Sequence, residues 1–225
     1  MSDITVVFTH WKRTENLRFI IEQIKKQTVA PKIFVWNNSE YLNWPEIDWQ
    51  IHSSENTITW TRWFMSTMAD TEFVCIMDDD LVLKNTHIFE EAISFLSRQK
   101  NDILIGPIGI NLDNEKEYKK CPRKYASKDQ DWSVDVILGR LLIFRRRLLE
   151  GVKVVTDIDR ATLLSDDIIM SALTSKGTRR YHAVPSLFYD SITELPSPHA
   201  ACSLPDHYEL REKARRKYFK DTSYE

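Results

Sequence analysis

The sequence predicts an α/β fold: one domain with a mostly parallel central sheet and helices on both faces. Short β-branched runs alternate with helical apolar patterns along most of the chain. The 225 residues, 42% of them hydrophobic, suffice for one sizeable core. No internal repeat and no low-complexity linker marks a domain boundary.

The elements follow in order. ITVVFTH, residues 4–10, is a strand ending in polar residues, and TENLRFIIEQIKKQ places Leu17, Ile20, Ile21 and Ile24 on one helical face. KIFVWNN is the second strand, ITWTRWFMSTMA the second helix and EFVCIM the third strand. After the triplet Asp78, Asp79, Asp80, Thr86 is the expected N-cap of a helix presenting Phe89, Ala92, Ile93 and Leu96. DILIGPIGI returns to strand, and residues 111–132 form a long charged excursion. SVDVILGRLLIF resumes the strand pattern, SDDIIMSALTSKG reads as a helix closed by Gly177, and RRYHAVP as the last strand. HYELREKARRKYFK is a basic helical tail with a solvated face, or one that touches an anionic membrane or an acidic acceptor.

Several function classes are excluded. With 33 acidic and 31 basic residues the net charge is −2, unsuited to holding nucleic acid. No apolar run is long enough for a transmembrane segment and the N-terminus does not read as a signal peptide, so a cytoplasmic location is expected. Cys75, Cys121 and Cys202 are too dispersed for a disulfide framework or a zinc site. The five glycines form no phosphate-cradling motif, so a bound phosphate needs a metal or basic side chains.

In open α/β sheets ligands bind beyond the carboxyl ends of the strands. Thr9 and His10, Asn37 and Asn38, and Asp78 to Asp80 occupy three such ends. If strand geometry persists through the triplet, Asp78 and Asp80 share one side while Asp79 turns to the other. Two carboxylates on one side suit Mg²⁺ or Mn²⁺, whose remaining ligands are water and phosphate oxygens.

FVCIMDDDLVL, together with TVVFTHWKRTENLRFIIEQI and IFVWNNS, resembles the nucleotide-diphospho-sugar glycosyltransferases of the GT-A fold. The order of motifs is similar to that of family-2-like and exostosin-like transferases. The resemblance implies a nucleotide-binding half over residues 1–100, an acceptor and sugar half over 101–190, and a helical tail over 200–225. It also implies a hexosyltransferase that moves a sugar from a UDP-linked or other nucleoside diphosphate donor to a glycan, glycoprotein or glycolipid hydroxyl.

By this resemblance Asp78 contacts the donor ribose, Asp79 lies nearby or turns toward structure, and Asp80 binds Mn²⁺ or Mg²⁺. His182 or His199 completes the metal site. Thr9, His10, Arg13 and Asn37 hold base and ribose, with Trp11 or Trp36 as a stacking surface. Arg62 points at the donor, Gly139 permits close approach to the sugar, and Arg140 meets a phosphate or the acceptor. Asp166 and Asp167 face the acceptor at a helix start capped by Ser165, with Asp167 the preferred general base of an inverting displacement. Such a base needs its proton affinity restored by burial or by its acidic neighbour, because a helix N-terminus lowers it. Retention of configuration stays open.

Two other readings compete. A haloacid-dehalogenase-type phosphohydrolase also carries D-x-D after an apolar strand, and Val82 fits its spacing, but that family places the motif on its first strand. A non-catalytic nucleotide-sugar binding protein would use the late carboxylates only as helix caps.

Overall fold

The computed structural model describes residues 3–153, 155–197 and 201–219. Its first part runs β1 (Ile4–His10), α1 (Thr14–Ile24), β2 (Lys32–Asn37), β3 (Trp49–His52), α2 (Trp60–Thr67), β4 (Phe73–Asp78), β5 (Leu81–Leu83) and α3 (Ile88–Ser97). The chain continues through β6 (Ile108–Ile110), β7 (Arg123–Tyr125), β8 (Trp132–Val134), β9 (Val136–Ile137) and β10 (Leu141–Arg145). The last elements are α4 (Arg160–Leu163), α5 (Asp166–Ser175), β11 (His182–Val184), β12 (Ile192–Glu194) and α6 (His207–Tyr218).

The main sheet has the order β10-β4-β1-β2-β3. Its four strands β4, β1, β2 and β3 are parallel, and β10 runs antiparallel to β4. Strand alternation divides the core. Val6, Phe8, Ile33, Val35, Cys75 and Met77 pack against α1 and α3. Val7, Phe34, Val74 and Ile76 face the other way, onto Trp63 and Met65 of α2. Helices therefore cover both faces, as the alternation of patterns predicts.

Several expectations are corrected. The strand β3 is absent from the sequence reading because WQIH is a half-exposed edge strand with no buried apolar run. The strand pattern of SVDVILGRLLIF is present in three pieces, β8, β9 and β10, because buried Asp135 takes the Leu112 N–H at 2.7 Å and the chain turns at Gly139. In DILIGPIGI, Pro107 can give no ladder hydrogen bond; Ile105 makes single bridges to Ile143 and Ala183, and only Ile108–Ile110 is a strand. The excursion is partly structured, since β7 pairs with β6 and Tyr118 and Cys121 are buried. Helix α3 begins two residues after Thr86, without a side-chain cap. The basic tail is a helix with Lys213 and Arg216 on a solvated face, and it is also anchored: Arg211 and Arg215 are buried, and Lys213 and Lys217 bind Asp159 and Asp157. Among the described residues no helix is long and apolar enough to cross a membrane.

Candidate active site

Strand β4 ends at Asp78, whose even position directs it toward α2 along with Val74 and Ile76. There Arg62 Nη1 donates to Asp78 Oδ1 at 2.9 Å and to the Gly139 carbonyl at 2.6 Å. The Asp78 N–H donates to the Arg140 carbonyl across the β4–β10 edge at 2.9 Å. Burial and the carboxylates of Asp80 and Asp79 push Asp78 up to about 7, against the pull of Arg62 and Arg140. With 35% of the side chain still open to solvent, water screens part of that effect.

Strand geometry does not persist through the triplet, because Asp79 and Asp80 form a turn. Asp79 is buried against the start of α1: Oδ2 faces His10 Nδ1 at 3.1 Å and accepts the Trp11 N–H at 3.3 Å, while Oδ1 accepts from Arg13 at 2.5 Å. Arg13 also reaches Asp80 Oδ2 at 3.3 Å, so Asp80 shares a cation with Asp79. Asp80 is 7% exposed, and its Oδ1 is buried with no hydrogen-bond partner. A buried carboxylate oxygen without a donor is costly and calls for a cation or a donor from a ligand. Among the described residues no group of three or more His, Cys, Asp or Glu side chains forms a metal cage. A divalent ion that takes one or two carboxylates and completes its shell with water and phosphate oxygens fits this donor set.

The pair at the start of α5 is held by arginines. Asp166 Oδ2 accepts from Arg62 Nε at 2.8 Å and from Trp63 Nε1 at 2.6 Å. Asp167 Oδ2 accepts the Gly139 N–H at 3.0 Å and Arg211 Nη2 at 2.7 Å. Burial would raise the proton affinity of Asp167, but the Arg211 guanidinium, the Gly139 N–H and Arg62 outweigh it and hold the carboxyl below its usual range. Asp167 is thus held as a paired carboxylate at the start of α5. Burial also disfavours the charge on Arg62, yet Asp166, Asp78 and Asp167 leave its pKa raised. Ser165 stands at the N-cap position, but its hydroxyl makes no cap bond.

The other expected residues separate into two groups. Thr9, beside Asp78 in the sheet register, reaches the rim with an unpartnered buried hydroxyl oxygen. Arg140 lies beside the triplet and pairs with Glu194 of β12. Asn37 instead organises its own loop: Nδ2 donates to the Glu40 carbonyl at 2.7 Å and to Gln50 Oε1 at 3.1 Å, and Oδ1 accepts the Ser39 N–H at 2.9 Å. His10 serves Asp79 and Thr14. Trp36 donates to Asn38 and packs edge-on against Phe64, while Lys12 lies 4.6 Å from the Trp11 ring.

His182 is corrected as a metal ligand. Its Nδ1 accepts the Leu104 N–H at 3.2 Å, so Nε2 carries the proton and donates to the Ser171 carbonyl at 2.8 Å. Neither nitrogen is left for a metal, and burial lowers the pKa to about 4. His199 lies outside the described residues. Sequence reasoning missed Arg211, Tyr118 and Glu194, which come from the segments it assigned to a tail, a surface loop and no element.

No protein-family model matches the chain, and no curated protein matches it. Among solved structures it is similar to the mannosyltransferase PcManGT from Pyrobaculum calidifontis in complex with GDP-Man and Mn²⁺. That match has a TM-score of 0.58 and 15% identity, covering 82% of this chain and 55% of that one. It is also similar to S. aureus TarS 1-349 in complex with UDP-GlcNAc, with a TM-score of 0.63, 12% identity, and 92% and 64% of the two chains covered. For S. aureus TarS the TM-score is 0.61 at 14% identity, with coverage of 92% and 38%. The chain thus spans between 38% and 64% of the length of these proteins. At such identities the likeness is one of fold alone: a mixed α/β domain with a mainly parallel sheet.

Proposed function

We propose that this chain is a metal-dependent glycosyltransferase that moves a sugar from a nucleoside diphosphate donor, with UDP the first candidate, to an acceptor hydroxyl. The observation that carries this reading is the unpartnered, buried Oδ1 of Asp80 beside Asp78, at the carboxyl rim of a parallel sheet. The arginines around it are paired with carboxylates, so the open valence belongs to an anion and asks for a cation.

Asp80, with Asp78, would hold Mn²⁺ or Mg²⁺, which supplies charge neutralisation for the departing nucleoside diphosphate. Arg62 fixes the carboxylate of Asp78 from the α2 side. Asp79 draws His10, the Trp11 N–H and Arg13 together, which sets the loop after β1 that borders the donor. Thr9 offers a hydroxyl at the same rim, and Arg140 a guanidinium that a phosphate can draw from Glu194. Asp166 and Asp167 anchor Arg62 and Gly139 in this proposal.

The locked state of Asp166 and Asp167 favours a second reading, a nucleotide-sugar binding protein without turnover. Calorimetric titration of UDP and GDP with and without Mn²⁺, followed by an assay for donor hydrolysis and transfer, tests both. Metal-dependent binding with turnover supports the transferase; binding without any hydrolysis or transfer supports the binder; no binding overturns both.

A further inference from the structure

The last helix of the chain reaches the centre of the site. Arg211 of α6 is 7% exposed and Asp167 is 4% exposed, with Tyr118, at 2%, completing a buried cluster. One nitrogen of Arg211, Nη2, donates to Asp167 Oδ2 and to the Tyr118 hydroxyl, both at 2.7 Å, and the guanidinium lies 5.0 Å from the Tyr118 ring centroid. The same Asp167 oxygen accepts the Gly139 N–H at 3.0 Å. The Gly139 carbonyl accepts Arg62 Nη1 at 2.6 Å, and that nitrogen donates to Asp78 at 2.9 Å. An unbroken line of charge-assisted contacts therefore runs Tyr118, Arg211, Asp167, Gly139, Arg62, Asp78.

The helix that supplies Arg211 is tied down on two sides. Glu212 accepts the Tyr118 N–H at 2.7 Å, and Lys213 and Lys217 each hold a carboxylate of the 157–159 segment at 2.6 Å. Removing Arg211 takes from the buried Asp167 carboxylate the cation that binds it directly, which favours its turning away or taking up a proton. Either response loosens the Gly139 N–H, and with it the carbonyl that fixes Arg62 beside Asp78.

We propose that Arg211 is a positioning residue of the donor subsite, acting through Asp167 and Gly139 on Arg62 and hence on Asp78. This rests on the glycosyltransferase reading above. Its consequence is that α6 belongs to the donor-binding machinery, and that a chain cut before residue 207 binds nucleotide poorly even where its sheet is intact.

The test uses the full chain with Arg211→Met, Arg211→Lys and Tyr118→Phe. Two readouts are taken below each variant's melting temperature: UDP and GDP affinity with Mn²⁺, and the NMR signal of the Arg62 Nε–H, which needs no donor. Arg211→Met is expected to weaken nucleotide binding about 10-fold or more and to shift the Arg62 signal. Arg211→Lys should recover part of both. Should Arg211→Met not fold, Tyr118→Phe, which removes one acceptor of Arg211, should show the same changes in smaller degree. Folded variants with wild-type affinity and an unmoved Arg62 signal would overturn the proposal. Failure of the wild type to bind either nucleotide would overturn the function on which it rests, and the Arg62 signal would still judge the linkage.

Discussion

Gly139 and Arg62 are packed so closely that the position admits no side chain: a β-carbon on Gly139 would collide with Nη2 of Arg62 and sit 3.1 Å from the Asp167 Cβ. The glycine is required by close approach, and the group approaching is a side chain of the protein.

Gly139→Ala should therefore displace Arg62 from Asp78 and Asp166. Overpacking of this kind costs about 1–3 kcal/mol. A fall in the urea midpoint together with weakened nucleotide binding is the expected outcome, and unchanged binding would show that Arg62 does not order the donor subsite.

The three carboxylates of the triplet should separate by phenotype. Asp79 serves His10, Trp11 and Arg13, so Asp79→Asn loses charge-assisted hydrogen bonds worth about 1.5–3 kcal/mol and should lower the melting temperature most. Asp80→Asn should leave the fold intact and remove the response to Mn²⁺, because its Oδ1 is the buried oxygen that no protein group satisfies. Asp78→Asn, which leaves Asp80 in place, should weaken metal-dependent donor binding without abolishing it. Thermal melts with and without Mn²⁺ and UDP check all three; equal destabilisation would contradict the division.

Acid should weaken the fold through His182. Burial lowers its pKa from 6.5 to about 4, so between those values the unfolded chain binds more protons and stability rises with pH. The contribution is complete above pH 6.5 and is lost as pH falls toward 4, amounting to about 2 kcal/mol by pH 5. Urea denaturation at pH 7 and pH 5 should show a smaller pH-dependent loss in His182→Gln than in the wild type. Equal losses would mean that His182 is not buried neutral.

Much of this was legible in the sequence, for identifiable reasons. Buried strands such as Phe73 to Met77 and the helical face of Leu17, Ile20, Ile21 and Ile24 declare themselves through periodicity, and they position the rim. Asp78, Asp79, Asp80 and Arg62 do come together there. What periodicity does not encode is pairing between distant segments. His182 looks like a free ligand until its two backbone partners are seen. That Asp167 is paired with Arg211, 44 residues later, is likewise invisible to periodicity. Strand alternation failed for Asp80 because it assumes a backbone that stops being a strand at Asp78.

The most direct measurement of the central claim is calorimetric titration of the wild type and Asp80→Asn with UDP and GDP, each with and without Mn²⁺. The wild type should bind at least one nucleotide only when Mn²⁺ is present, and folded Asp80→Asn should bind neither. Binding of equal strength in Asp80→Asn, or in the absence of Mn²⁺, would contradict that claim.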